Sequence, residues 1–203
     1  MTDRTITKLV FVRHGESEKN VLRIKSSTVD KWPLTEKGEQ HAENIACKLK
    51  GMGPFDIILS SPVLRARQTA EIISKTLGLP VIYEDLLKEY QYGRWNDLTK
   101  EELKKNHPDY LEFRMHKPGT EEHFNFKLGG AESRADVVKR MEKFIQKVSI
   151  EYPGKHILLV SHGGINGAIA KTINDISLES FAEKELIDHE EIETFNIVND
   201  QPS

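Results

Sequence analysis

The sequence predicts an α/β protein: a three-layer sandwich with a mainly parallel sheet, helices on both faces, and a small helical insertion over the strand C-terminal ends. Three observations carry this. Short continuous apolar runs rich in β-branched residues recur along the chain, as strands buried on both faces require. Amphipathic stretches of helical period fall between them. Strand and helix therefore alternate, the pattern of a parallel sheet. At 203 residues the chain reads as a single domain, 1–203, large enough to bury a core without disulfides or metal.

The elements follow in order. Leu9, Val10, Phe11 and Val12 form the first apolar run. Residues 56–59 form a second, 80–83 a shorter third, and 156–160 the fourth and clearest. Residues 192–198 are a fifth strand candidate. A helix over 35–50 opens on a Thr cap and carries Ala42, Ile45, Ala46 and Leu49 on one face. A helix over 62–77 has Pro near its first turn and Thr69, Ile72, Ile73 and Thr76 on one face. A helix over 134–148 carries Val137, Val138, Met141, Phe144, Ile145 and Val148. One over 163–173 carries Ile165, Ile169 and Ile173. The segment of about 95–130 breaks the rhythm: it is polar and holds Pro108, Pro118 and several histidines. It reads as an insertion covering the active site. The tail from Asp200 reads as loose.

The composition is 37% hydrophobic and 30% charged, with a net charge of −3. No nucleic acid or membrane partner is expected from this balance. An anionic ligand must be caught by a local cluster. The lone Cys47 excludes an intrachain disulfide and reads as a packing residue. Residues 1–8 are short and polar, and the apolar run after them is too short for a signal peptide or a membrane span. A cytoplasmic protein is expected. Oligomeric state stays open, a homodimer included.

In open α/β sheets, sites form at the carboxyl ends of the strands. After the first run come Arg13, His14, Gly15, Glu16 and Ser17. After the second come Ser60, Ser61 and Pro62, with Arg65 one turn into the helix on its inward face. Beyond the third lies Glu89. After the fourth come Ser161, His162, Gly163 and Gly164. Two histidines, two arginines and a carboxylate are thus expected at one sheet edge.

That set suits a phosphate monoester. Arginine offers a fixed fork to phosphoryl oxygens. The glycines after His162 open a helix whose N-terminal amides favour an anion. Neutral histidine is a competent nucleophile, and a carboxylic acid such as Glu89 can protonate the leaving oxygen. Taken singly, each residue has an ordinary structural role, as a satisfied core histidine, a salt-bridged arginine or a solvated carboxylate. Their joint placement at strand ends is what coincidence does not supply. His107, His116 and His123 read as surface residues, and their spacing is no zinc pattern.

Together these residues resemble the histidine phosphatase superfamily, the phosphoglycerate mutase-like group, over roughly 8–199. Arg13-His14-Gly15-Glu16-Ser17 with Asn20 is similar to the family's first signature. Residues 60–70, Glu89 with Tyr92, Gly93 and Trp95, the Gly129-to-Ser133 turn, and Ser161-His162-Gly163-Gly164 resemble the later ones in order. The resemblance implies a nucleophilic His14 that becomes phosphohistidine. It implies phosphoryl binding by Arg13, Arg65 and His162, helped by Asn20 and the Gly163 amide. Glu89 would be the acid and base. No metal or cofactor is implied, and the partner would be a small-molecule phosphate ester.

Three features depart from the family pattern. Residues 26–29 lack the glycine that often precedes the aspartate matched by Asp30, Trp32 is an added residue, and Asn96-Asp97 replaces Glu-Gly. Tyr92 and Lys100 fall where mutases of the family hold the glycerate carboxylate, but the mutase's Arg-His after the donor is Tyr90-Gln91 here, and its later Arg-Arg pair is Arg114-Met115. A metal-independent phosphatase is therefore favoured. A cofactor-dependent phosphoglycerate mutase is the alternative, and a catalytically silent binding module of the same fold a second.

Overall fold

The computed structural model describes residues 4–200 of the chain. Strand β1 (Arg4–Arg13) leads through a short α1 (Glu18–Val21) and β2 (Ile24–Lys25) to α2 (Glu36–Lys50). Strand β3 (Ile57–Ser60), α3 (Leu64–Leu77) and β4 (Val81–Tyr83) follow. Next come β5 (Leu98–Thr99), α4 (Lys100–Asn106), α5 (Pro108–Met115) and α6 (Glu121–Asn125). The chain ends with α7 (Arg134–Glu151), β6 (His156–Ser161), α8 (Gly163–Asn174), α9 (Leu178–Lys184) and β7 (Ile192–Asp200).

The main sheet runs β4-β3-β6-β1-β7. Its first four strands are parallel and β7 is antiparallel to β1. Successive strand residues point to opposite faces, and the two faces bury different helices. Leu9, Phe11, Ile157 and Leu159 join Val137, Met141 and Phe144 of α7 and Ile165 and Ile169 of α8. Val10, Val12, Leu158 and Val160 join Ile45 and Leu49 of α2 and Ala66, Ala70 and Ile73 of α3. This is the three-layer arrangement expected from the alternation.

Strand β1 starts earlier than the apolar run. Its first residues pair only with β7, while Lys8 to Arg13 also pair with β6. A stretch with one neighbour needs no continuous apolar run, so Thr5 and Thr7 masked it. Thr7 is nonetheless buried, donating to the carbonyl of Tyr152 at 2.9 Å. Strand β7 runs to Asp200, and the rest of the tail read as loose lies outside the described residues. The turn before α3 is also longer than expected: Val63 is extended and the helix starts at Leu64.

Two burial expectations are corrected. Cys47 is exposed, because the inward positions of α2 are Ala42, Ile45, Ala46 and Leu49. His123 is buried, stacked on Phe113 at 5.1 Å between ring centroids; His107 and His116 are half-buried. Segment 95–130 has a core of its own. Trp95 is fully buried and meets Tyr110 edge-on at 5.3 Å, with Phe113 and Phe126 alongside. Polar composition hid this core because its aromatic residues are scattered: Trp95 lies before β5, Tyr110 and Phe113 on α5, and Phe126 just after α6.

The departures from the family pattern meet in space. Trp32 Nε1 donates to Asp97 Oδ1 at 2.8 Å and Thr28 Oγ1 donates to Asp97 Oδ2 at 2.7 Å. Asn96 Oδ1 accepts from the Ser27 amide at 2.8 Å, and its Nδ2 donates to Thr28 Oγ1 at 2.8 Å. The loop after β2 is thus tied to the start of the insertion. Among the described residues no helix is long and apolar enough to cross a membrane.

Candidate active site

Strand β1 delivers Arg13 and His14 to the C-terminal edge of the sheet. The His14 amide continues the parallel ladder, donating to Ser161 O at 2.9 Å. The turn after it needs Gly15: a Cβ there would lie 2.1 Å from the carbonyl oxygen of Gly38 at the start of α2. This close approach holds His14, which is 1% exposed.

The His14 ring has two distinct nitrogens. Nδ1 lies 2.7 Å from Gly15 O, so it carries the proton and donates. Nε2 accepts from Arg65 Nε at 3.1 Å, so it holds the lone pair. Burial pushes the His14 pKa well down, and the Arg65 charge adds to this. The ring is neutral at physiological pH.

Arg65 comes from the inward face of α3 and is fully buried. Its Nη2 donates to Ser26 O at 3.3 Å and to Nδ1 of His162 at 3.3 Å. Its Nη1 is buried with no protein acceptor. Arg13 donates through Nη1 to Ile187 O at 2.8 Å, and its Nε is likewise buried and unpartnered. Buried N–H groups without acceptors are uncommon, and two guanidinium groups in that state call for an anion.

His162 leads into α8. Its Nε2 lies 2.9 Å from Ser61 Oγ. With Nδ1 accepting from Arg65, Nε2 is the protonated nitrogen. Burial lowers its pKa well below the ordinary value, with Arg65 adding to the effect. Its ring meets that of His14 edge-on, centroids 5.2 Å apart.

Glu89 accepts from the Tyr90 amide at Oε1, 3.2 Å. Its Oε2 lies 3.4 Å from Lys19 Nζ, 3.7 Å from Arg65 Nη2 and 3.7 Å from His162 Nδ1. Burial alone would raise its pKa. The Lys19 ammonium, His162 and Arg65 together outweigh burial and hold the carboxyl well below the usual range. Glu89 is therefore a carboxylate in the unliganded site.

Asn20 and Gly163 line the same cavity as Arg13 and Glu89, a space of about 420 Å³. Asn20 Oδ1 is engaged by the Ser17 amide and hydroxyl, which leaves its Nδ2 as the donor for a ligand. Gly163 opens α8 at the cavity wall, where helix amides favour an anion. Gly164 admits the Tyr90 ring, which a Cβ would overlap at 2.0 Å. The insertion contributes Trp95, Lys100, Phe113 and Leu128 to the lining. His14, Arg65 and His162 are buried and do not line this cavity; Arg65 Nη2 and His162 Nδ1 each lie 3.7 Å from Glu89 Oε2, which does. The structure thus brings together all seven residues that the sequence singled out.

Two further residues had no legible signal. Lys19 stands among Glu16, Glu18 and Asn20 and reads as a solvated lysine, yet it is 7% exposed. His189 stands beside Asp188, Glu190 and Glu191; its Nδ1 donates to the His14 carbonyl at 2.5 Å. Burial lowers the His189 pKa to about 4.

A family model described as the histidine phosphatase superfamily (branch 1) matches residues 9–203. The chain is 33% identical over 172 residues to the uncharacterized phosphatase PhoE of Bacillus subtilis (strain 168), covering 85% of this chain and 78% of that protein. It is 33% identical over 190 residues to the probable phosphoglycerate mutase GpmB of Escherichia coli (strain K12 / DH10B), covering 88% and 79%. The structure superposes on phosphoserine phosphatase of Entamoeba histolytica, solved with 3-phosphoglyceric acid, with a TM-score of 0.74, 30% identity and 93% and 90% coverage. With the family match spanning nearly its whole length, this chain belongs to the histidine phosphatase superfamily, branch 1.

Proposed function

We propose that the protein is a metal-independent phosphatase that hydrolyses small phosphate monoesters through a phosphohistidine on His14. The observation that carries this reading is the state of the His14 ring: neutral, its Nδ1–H tied to Gly15 O, its Nε2 lone pair facing Arg65. A histidine meant only to fill the core would not need two buried guanidinium groups with unmet N–H donors beside it.

The phosphoryl group is taken to sit between Arg13, Arg65 and His162, with Asn20 and the Gly163 amide as further donors. In the first step Nε2 of His14 attacks phosphorus, the P–N bond forms, and the bond to the leaving oxygen breaks. Donors aimed at the equatorial oxygens stabilise the developing charge. Glu89 gives its proton to the leaving oxygen. In the second step the Glu89 carboxylate takes a proton from water, the water oxygen attacks phosphorus, and the P–N bond breaks. The phosphoryl dianion itself supplies the proton condition. It engages Arg65 and His162, which now hold Glu89 ionised, and its charge raises the carboxyl pKa. Among the described residues no three His, Cys, Asp or Glu side chains gather as a metal site, and in this reading the cationic side chains meet the phosphoryl charge.

Hydrolysis is favoured over the mutase reaction by the cavity. A mutase must shield its phosphoenzyme from water. The positions of the mutase's arginine pair, Arg114 and Met115, are exposed and do not line the cavity. Tyr90, at another mutase position, gives its hydroxyl to Glu185 at 2.5 Å. Arg23, Lys25 and Lys100 do line the cavity, and among the described residues none has a carboxylate partner at ion-pair distance. We therefore infer a substrate with a second anionic group, such as a phosphorylated carboxylic acid. The test is phosphate release from p-nitrophenyl phosphate in excess EDTA, wild type beside His14→Ala. Release that survives EDTA and is lost in the variant supports the reading. Release that persists in His14→Ala, or none from either protein, overturns it.

A further inference from the structure

We propose that Lys19 is the positioning residue of the acid: through its contact with Oε2 it holds Glu89 in place and decides when that carboxyl carries a proton. This rests on Glu89 being the acid of the reading above.

Lys19 sits on the single turn of α1, directly after the segment that bears the nucleophile. A lysine is almost never buried without a task. Its Nζ lies 3.4 Å from Glu89 Oε2 and 3.4 Å from Ser26 O. The same Ser26 carbonyl accepts from Arg65 at 3.3 Å. That carbonyl belongs to the loop tied down by Asn96 and Asp97, so the lysine and the arginine are aimed from one anchored acceptor.

The groups around the Glu89 carboxyl can be sorted by what substrate does to them. Arg65 from α3, His162 from the end of β6 and Arg13 from β1 are the groups that a phosphoryl dianion would claim. The Tyr90 amide is fixed on Oε1. Lys25 and the Tyr92 hydroxyl belong to the outer cavity, where Lys25 lies over the Tyr92 ring at 5.5 Å. Lys19 also lines the cavity, but its Nζ is held between Glu89 Oε2 and Ser26 O; in this proposal it is the cation that stays with Oε2 while the others turn to phosphate. It stabilises the carboxylate that Glu89 becomes on giving its proton to the leaving oxygen, and it orients that carboxylate toward the attacking water. Burial, with the Arg65 charge adding to it, lowers Lys19's own pKa to about 7, so its hold weakens where cytosolic pH lies.

The experiment compares wild type, Lys19→Met and Lys19→Arg. The first readout is the titration of the Glu89 carboxyl, followed by carbon-13 NMR of glutamate-labelled protein and assigned by loss of the signal in Glu89→Gln. Removing a cation within ~4 Å should move the midpoint up by about 1–3 pH units in Lys19→Met. Lys19→Arg should keep it near the wild-type value. The second readout is the pH profile of kcat for an alkyl phosphate such as glycerol 2-phosphate. Its alkaline limb should move up in Lys19→Met and not in Lys19→Arg, while p-nitrophenyl phosphate, which hardly needs the proton, should respond less. Lys19→Gln replaces Lys19→Met if the latter fails to melt cooperatively. An unmoved carboxyl titration overturns the proposal, as does a moved titration with an unmoved profile. Weakened binding of inorganic phosphate with an unmoved titration would make Lys19 a phosphoryl ligand and also overturn it. The NMR readout needs no turnover, so its outcome stands apart from the His14→Ala test of the reaction itself.

Discussion

Arg65 donates its Nε–H to Nε2 of His14 across 3.1 Å. The nitrogen proposed to attack phosphorus is therefore held by the same guanidinium proposed to receive the phosphoryl oxygens. One side chain aims the nucleophile and carries an unmet donor, Nη1, for the charge that develops.

Arg65→Lys keeps the charge and loses the fork. A lysine cannot reach His14, His162 and Ser26 O at once. The expected loss in kcat/KM is on the order of 10²–10³, the cost of one oxyanion donor. Steady-state kinetics with p-nitrophenyl phosphate, beside a melting curve to confirm folding, measure it. A near wild-type value would remove Arg65 from the phosphoryl site.

Glu89→Gln separates leaving groups. For an alkyl phosphate the rate should fall by on the order of 10²–10⁴. For p-nitrophenyl phosphate the loss should be much smaller, because nitrophenolate leaves without a proton. Equal losses for both would show that Glu89 is no proton donor.

Stability should fall on mild acidification. Burial, with nearby cations, holds His14 and His162 well below the ordinary value, and lowers His123 and His189 to about 4. The unfolded chain binds these protons near the ordinary histidine value of ~6.5 and the folded one does not. Stability is thus complete above about pH 6.5 and is lost as pH drops toward the folded values. Melting temperatures between pH 7.5 and 5 measure this, and a flat profile would mean that the imidazoles are not held neutral.

Gly15→Ala should be costly and Gly51→Ala cheap. At Gly15 a Cβ meets the Gly38 carbonyl at 2.1 Å, with backbone on both sides and no side chain to give way. Overpacking of this kind costs about 1–3 kcal/mol, and here it also displaces His14. At Gly51 the nearest atom is 3.6 Å away and φ is −80°. Urea melts of both variants test the contrast; similar losses would contradict the close approach of the two loops.

Asp97→Ala should loosen the loop after β2. It removes the acceptor for Trp32 Nε1 and Thr28 Oγ1, and that loop presents Ser26 O to Lys19 and Arg65. A rise in KM with faster hydrogen exchange over residues 26–32 is expected. Unchanged exchange would mean that the loop does not need the clamp.

Much of the fold was legible because its strands are buried on both faces. The runs at 9–12 and 156–160 needed no context to be recognised, and β6 proves to be the central strand. The start of β1 was missed where the sheet has only one neighbour and Thr5 and Thr7 break the run. The core around Trp95 carries no sequence signal because Trp95 and Phe126 lie outside the α-helices and meet Tyr110 and Phe113 of α5 only in the fold.

Residue order along the chain settles which groups stand at the ends of the strands: Arg13, His14, Arg65, Glu89 and His162 are local consequences of apolar runs followed by motifs. Their charge and tautomeric states arise from packing between distant segments. Glu89 rests charged because Lys19, Arg65 and His162 close on it from separate elements; Lys19 is 70 residues away in sequence and 3.4 Å away in space. The tautomer of His14 depends on a carbonyl 2.7 Å from its ring. The same holds for the departures at Trp32 and Asn96-Asp97, which look independent along the chain and form one hydrogen-bonded cluster. Burial and through-space charge follow distance in the fold, and linear spacing does not encode that distance.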